Sequence, residues 1–394
     1  MVRIMYALSG EGMGHTLRSR IIIEYLIKKG HTVDIFAGAK AYQFLSKYFK
    51  NITKTHSLYM VYRNNELMGV ETFLRNFAHQ KEWLETLAKI ERYVNQKKPR
   101  VIISDFEPFS SIMAGRFNLP LISICHQSLL TTCRPKVGKK ELFGASIAKF
   151  FSHLIMQNPD YFFVTSFYFP KRRPNHLKNA YLFPPLIRKE IRKQKPKFGK
   201  HILVYQTSKS NKAMFPILKK FKDQKFIVYG FDIDKKDGNL VFKKTNNDIY
   251  LKHLSNAKAV IMNGGYTLMC ESLYLKKPVL SIPVKQSYEQ ILNARHLEKK
   301  GWGIYVENLT EKNLKDFLNK QTSIRRNLKK VKFGKNKDFF KKLENKIKKL
   351  SKKRYKKFGF LDIQHVLSAL DLPFFEEELG WLKQKKEKKI KKKE

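Results

Sequence analysis

The chain has 394 residues, 42% of them hydrophobic and 29% charged, which is too apolar for a disordered polypeptide and long enough to bury about two domain-sized cores. No apolar run approaches the roughly 20 residues of a membrane-spanning helix, and the start Met1-Val2-Arg3-Ile4-Met5-Tyr6 reads as a core strand rather than a signal peptide. Cys125, Cys133 and Cys270, odd in number and without zinc spacing, exclude a disulfide framework and predict reduced thiols in a cytoplasm.

The first predicted strand, Arg3 to Leu8, runs into Ser9-Gly10-Glu11-Gly12-Met13-Gly14-His15, a glycine-rich loop leading into a helix from Leu17 to Lys28 that Gly30 closes. Glycines at alternate positions let such a loop approach a ligand closely. The spacing differs from the dinucleotide fingerprint, and no acid ends the next strand, Thr32 to Phe36, which closes on Ala37-Gly38. Both features argue against a dinucleotide. Further strands are expected at 101–104, 120–124 and 161–165, with helices at 16–28, 40–48, 72–95, 110–117 and 142–156. Short apolar strands alternating with amphipathic helices imply a parallel sheet with helices on both faces. The strand beginning at Val101 ends in two acids, Asp105 and Glu107, where α/β folds place their ligands. A basic, proline-containing segment, Phe183 to Lys197, interrupts the pattern and reads as a hinge.

The pattern restarts at His201 to Tyr205, followed by a polar loop, Gln206 to Asn211, and by strands at 226–229, 240–242, 259–262, 279–282 and 303–305. Asp232-Ile233-Asp234, the chain's one Asp-x-Asp, reads as a turn. The apolar strand Ala259 to Met262 runs into Asn263-Gly264-Gly265, and Thr267 opens a helix carrying Glu271 one turn in. A glycine turn at a helix N-terminus offers N–H groups and a dipole that suit a phosphate, and Glu271 sits where an acid accepts the two hydroxyls of a ribose. The strand Pro278 to Pro283 then leads to a polar loop with Gln286, Glu289 and Gln290. These residue types fit a nucleotide better than a metal or a nucleophile.

The ordered set Asn263-Gly264-Gly265, Glu271, Lys277-Pro278, Ile282-Pro283, Gln286, Glu289-Gln290 and Asn293-Ala294 resembles the donor-sugar-nucleotide motif of GT-B glycosyltransferases. It is closest to the family 28 type, which includes the peptidoglycan N-acetylglucosaminyltransferase, and to an uncharacterised archaeal and bacterial branch of it. The glycine-rich loop ending in His15 is similar to one at the same place in that family. The resemblance covers residues 1 to about 320 and implies α/β GT-B architecture, two Rossmann-like parallel-sheet domains facing across a cleft. An acceptor-side domain would span 1–190 and a nucleotide-sugar-binding domain 191–324. It further implies an inverting, metal-independent transfer from a nucleotide-diphosphate sugar, UDP-linked in the first instance, to a glycan or lipid-linked hydroxyl, with no separate cofactor. His15 becomes the base, with Asp105 orienting it and Glu107 next in line. The nucleotide sugar would lie against Gly12, Gly14, Ser208, Asn263, Gly264, Gly265, Thr267, Glu271, Gln286, Glu289 and Gln290, although the loop holding Ser208 lacks the glycine usual in relatives. Replacing Glu271 is expected to weaken donor binding with little loss of stability. Two other readings stay open: a sugar-nucleotide 2-epimerase of the same fold and a basic nucleic-acid-binding protein.

Beyond residue 325 a basic helical extension is expected. From Arg325 to Lys357, apolar residues at helical spacing, among them Leu328, Val331, Phe339, Phe340, Leu343, Ile347 and Leu350, make a basic amphipathic stretch. Family members use their last helix to cross back onto the N-terminal domain. A second unit, Leu361 to Leu382, holds Phe374, Phe375 and Trp381, and Lys383 to Glu394 is a charge run. The formal net charge of +47 suits nucleic acid or an anionic membrane, and Lys, Ile, Asn, Phe and Tyr are abundant throughout, as in AT-rich genomes. No nucleic-acid-binding motif is present, which favours peripheral association with the inner face of the cell membrane over nucleic acid.

Overall fold

Ile4, Tyr6 and Leu8 enter one hydrophobic core while Met5 and Ala7 enter another, the alternation of a strand covered on both faces. This strand, β1 (Arg3–Leu8), belongs to a parallel sheet with β2 (Thr32–Gly38) and β3 (Ile52–Thr55). A separate hairpin of β4 (Tyr62–Arg63) and β5 (Glu66–Leu67) follows. Then β6 (Val101–Asp105), β7 (Leu121–Ile124), β8 (Tyr161–Thr165) and β9 (Ala180–Phe183) complete the order β3-β2-β1-β6-β7-β8-β9. The computed structural model describes residues 1–353 apart from Glu11, Val137, Ser208 and Lys335. The expected donor contact Ser208, and the stretch 354–394 with Phe374, Phe375 and Trp381, lie outside the described residues.

A second sheet is built from β10 (His201–Tyr205), β11 (Lys225–Tyr229), β12 (Lys235–Asp237), β13 (Leu240–Phe242), β14 (Ala259–Met262), β15 (Val279–Ser281) and β16 (Gly303–Tyr305). Its order is β12-β13-β11-β10-β14-β15-β16, parallel throughout except for the antiparallel edge strand β12. These are the two Rossmann-like sheets expected from the sequence. Each reverses its strand order once, between β1 and β6 and between β10 and β14. At such a switch point the loops leaving the two strands diverge and open a crevice. Register decides what lies there. Leu8 pairs with Asp105, so the glycine-rich loop and Asp105 emerge side by side. Tyr205 pairs with Met262, which does the same for the loop after β10 and the Asn263-Gly264-Gly265 turn.

Local boundaries depart from expectation where tertiary contacts override propensity. The single helix expected at 72–95 is two, Gly69–Phe77 and Gln80–Lys97. β3, with Thr53 and Lys54 exposed, lacks the apolar run of a central strand because it is an edge. The Asp-x-Asp segment is a turn, with Asp232 left-handed at φ 63° and Asp234 accepting from the Lys244 N–H.

The C-terminal basic stretch divides between the two cores. Ile324, Leu328 and Val331 pack into the core of the second sheet. Phe339, Phe340, Leu343, Ile347 and Leu350, on the helix Lys337–Leu350, share a core with Ile4, Ile22 and Phe163 of the first. The Phe340 ring stacks on Tyr25 at 3.9 Å between centroids, and His31 faces Glu344 at 3.1 Å. The chain therefore crosses back, and these apolar residues are core rather than a membrane-facing stripe. Helical periodicity is the same for a helix that packs on protein and one that lies on lipid, so spacing could not separate the two.

Candidate active site

The glycines of the first loop serve three different needs. A Cβ on Gly10 would lie 2.5 Å from the Gly38 carbonyl oxygen at the end of β2, so only glycine permits that approach. Gly12 has φ 77° and caps the following helix, a conformation costly for other residues. Gly14 sits against Thr267 of the second sheet's helix, whose Oγ1 donates to the Gly14 carbonyl at 3.2 Å. The helix begins at Met13 rather than near Leu17, which places His15 on its first turn instead of in the loop.

One helical turn then carries the chemistry. His15, Arg18 and Ser19, spaced i, i+3 and i+4, share a face, and all three converge on Asp105 at the end of β6. His15 Nδ1 lies 2.7 Å from Asp105 Oδ1. Arg18 Nε donates to Oδ2 at 3.1 Å, its Nη2 donates to Oδ1, and Ser19 Oγ donates to Oδ2 at 2.9 Å. Asp105 is fully buried. Burial alone would push its carboxyl up, but the Arg18 guanidinium and the His15 imidazole overcome this and hold it below the usual carboxylate range. The His15 ring stacks near Phe106, with centroids 6.0 Å apart. Phe106 itself is left-handed at φ 56°, strain of a kind that collects at functional sites.

Glu107 is not a second base. Its carboxylate caps the helix Pro108–Arg116, accepting from the Phe109 and Ser110 N–H groups at 3.0 and 2.8 Å, and burial pushes the acid up. An acid just before Pro108 is a helix-start signal, and here that signal outweighs its place at a strand end.

The second sheet presents the turn and helix expected for a nucleotide, with most of the polar residues engaged in shaping it. Gly265 caps the helix Tyr266–Tyr274, and Thr267 is its second residue. A Cβ on Gly264 would overlap the Gln290 carbonyl oxygen. The Gly264 N–H donates to Gln290 Oε1 at 3.2 Å, an oxygen that also accepts from the Val284 N–H at 3.1 Å. Asn263 accepts from the Thr207 N–H and donates to Asn65 Oδ1 and the Ile282 carbonyl. Lys277, part of the recognised motif, is buried with its ammonium donating to the Lys197, Ser255 and Ala257 carbonyls. Burial pushes it down to about 7. Gln286 is left-handed at φ 66° and exposed.

Glu271 is 3% exposed, and Arg188 binds it from the segment between the sheets. Arg188 Nε donates to Oε1 at 2.7 Å and Nη2 to Oε2 at 3.1 Å, while Nη1 donates to Asn247 Oδ1 at 2.8 Å. Two donors on two carboxylate oxygens is the pattern a ribose diol would make.

The two switch points face each other. Gln127 stands between them, its Nε2 donating to Glu289 Oε2 at 2.8 Å and lying 3.4 Å from His15 Nε2. The buried His126 ring stacks on Tyr266 at 4.0 Å and meets Asn293 Oδ1 through Nε2 at 2.8 Å. The hairpin tip joins as well: Asn65 donates through Nδ2 to the Pro283 carbonyl at 3.0 Å. The sequence did not single out Arg18, Asn65, His126 or Arg188. Only Arg18 carried a readable signal, its helical spacing from His15.

The family described as Glycosyl transferase family 1 matches residues 2–321. An uncharacterized glycosyltransferase of Methanosarcina acetivorans is 27% identical over 338 residues, covering 78% of this chain and 84% of its own. Among solved structures, UGT2 of Phytolacca americana, complexed with UDP-2-fluoro-glucose and pterostilbene, superposes with a TM-score of 0.61 at 11% identity, covering 88% of this chain and 99% of its own. MurG of Acinetobacter baumannii superposes with a TM-score of 0.56 at 15% identity, covering 88% of this chain and 100% of its own. At these identities the structural likeness is one of fold.

Proposed function

The chain belongs to glycosyl transferase family 1 and is a glycosyltransferase of GT-B fold, and we propose that it moves a sugar from a UDP-linked donor to a glycan or lipid-linked hydroxyl, with inversion and without a metal. The observation that supports this most is the His15–Asp105 pair, at 2.7 Å, lying across the interface from the N-terminus of the helix Tyr266–Tyr274, whose first N–H groups no side chain among the described residues caps. Asp105 holds Nδ1–H, which leaves the Nε2 lone pair for the acceptor proton. As that proton leaves, the acceptor oxygen forms a bond to the anomeric carbon and the bond to the diphosphate oxygen breaks. The charge that develops on the diphosphate falls to the Gly265 and Thr267 end of the helix. Gly12 and Gly14 allow the donor close to the base. Glu271 takes the ribose hydroxyls once Arg188 yields them room, Gln286 and Glu289 face the transferred sugar, and Asn263, Gly264 and Gln290 hold the turn. Ser208 is assigned to the diphosphate by resemblance.

Calorimetric titration with UDP and a set of UDP-sugars tests the donor. Binding of UDP, with one UDP-sugar consumed in the presence of a hydroxyl acceptor, is expected. Failure of UDP and every UDP-sugar to bind the folded protein overturns the assignment.

For the acceptor we place the enzyme at an anionic lipid surface. The net charge of +47 supports this, as do Lys341, Lys348 and Lys349, which stay exposed on a helix whose apolar face is buried. Sedimentation with anionic vesicles at low salt is expected, weakening as salt screens the attraction and as Leu361 to Glu394 is removed. Equal sedimentation with neutral vesicles, or none with anionic ones at low salt, overturns it.

A further inference from the structure

The His15–Asp105 pair is not isolated. Both carboxylate oxygens are shared with Arg18, which is 4% exposed and whose Nη2 lies 3.1 Å from His15 Nδ1. With Nδ1 protonated, both nitrogens are donors to the same Oδ1 and cannot bond one another. They therefore compete for one oxygen while holding one acid between them. The charges facing the imidazole are then Asp105 from β6 and Arg18 from its own helix, which cancel. Behind the neutral Gln127 lies Glu289 of the second sheet's helix Tyr288–Lys299. Among the described residues the remaining neighbours carry no charge: the Phe106 ring, Thr267 against Gly14, and Cys125 and Tyr266, which interact with Arg18 and whose ionisation burial opposes.

We propose that Arg18 is a positioning residue that neutralises Asp105, so that the acid orients His15 without locking it as an imidazolium. An acid and an imidazole alone in a buried site would favour the charged ring, because a neighbouring carboxylate stabilises the imidazolium. A ring already carrying its proton cannot take one from an acceptor hydroxyl. The fork of Arg18, fixed by two bonds to Asp105, removes that bias and keeps the carboxylate aimed at Nδ1. The benefit to catalysis rests on His15 being the base, but the charge balance does not.

The test is nuclear magnetic resonance of nucleotide-free protein labelled at histidine Cε1, at pH 7, with the His15 signal identified by its loss in His15→Gln. In Arg18→Met the signal moves toward the imidazolium position. In Arg18→Lys, which keeps the charge, it stays where it was. In Arg18→Met/Asp105→Asn, which removes both charges together, it returns to the parental position. A purely structural Arg18 predicts no movement toward the imidazolium position in Arg18→Met, since a loosened Asp105 would leave the ring neutral. An unmoved or oppositely moved signal in folded Arg18→Met overturns the proposal. Should that variant fail to give a cooperative melt, a displaced signal in either Arg18→Lys or the double variant overturns it equally. In the pH profile of turnover, the acid limb of Arg18→Met should move to higher pH by about one unit or more. Absence of transfer with every UDP-sugar would remove the proposed reaction and leave the resonance result intact.

Discussion

His15→Ala should lower turnover by about 10²–10⁴-fold, the range of a positioned general base, while leaving UDP affinity where it was. The separation follows from place. In the proposed reaction His15 acts at the switch point of the first sheet, on the acceptor, and the groups assigned to the nucleotide belong to the second apart from Gly12 and Gly14, which only leave the donor room. Its side chain spans only the short distance to Asp105, 2.7 Å at Nδ1, and its removal leaves Asp105 still bonded to Arg18 and Ser19. The fold should therefore survive. Single-turnover rates with saturating donor, together with UDP calorimetry on the same preparation, check both halves. Full transfer by His15→Ala would remove it as the base, and Glu107, occupied as a helix cap, offers no replacement.

The second large effect is on stability as well as binding. Glu271→Ala leaves Arg188, 5% exposed, without its carboxylate, and breaking a buried ion pair from one side costs about 3–5 kcal/mol. The sequence-based expectation of unchanged stability treated Glu271 as free to receive a ribose, and the bidentate contact with Arg188 corrects it. Removing both charges should largely restore the fold, because paired apolar replacements of buried ion pairs are often neutral. Glu271→Ala/Arg188→Met is thus expected to unfold near the parental urea midpoint yet bind UDP weakly. Parental UDP affinity in a stable double variant would end the ribose role of Glu271. A single Glu271→Ala as stable as the parent would instead mean that Arg188 finds another partner.

What could be read from the sequence tracks how strongly each feature depends on local pattern. β1, β6, β10 and β14 are apolar on both faces because helices cover both sides of each sheet, so their position and parallel pairing were legible. β3 and β12 are edges with polar faces and carry no such run. His15 and Asp105 could be matched because one ends a glycine-rich loop and the other ends a core strand, and register then sets those ends side by side. The arginines were harder. Arg188 stands among 80 Lys and Arg residues with nothing to tell a buried guanidinium from a solvated one, and Arg18 is marked only by its helical spacing from His15. Nor could the sequence say that Gln290 and Asn263 serve backbone groups of the turn, since the same amides suit a sugar equally well.

The return of the helix Lys337–Leu350 onto the first sheet bears on the order of events during synthesis. Phe163 and Phe183 from the first sheet meet Phe339 at ring separations of 5.5 and 5.1 Å, and Ile4 and Ile22 share that core. Domains ordinarily fold as they emerge from the ribosome, the first before the second. In this chain the first-made sheet lacks one of its covering helices until residue 350 has been translated, while the second sheet, whose residues all lie between them, can close earlier. The beginning of the polypeptide therefore waits, with an apolar face uncovered, for contacts more than three hundred residues away in sequence, a separation that slows folding and lengthens exposure to aggregation. A nascent chain stalled before Lys337 would present that face to chaperones even though its proposed donor-binding half was already complete.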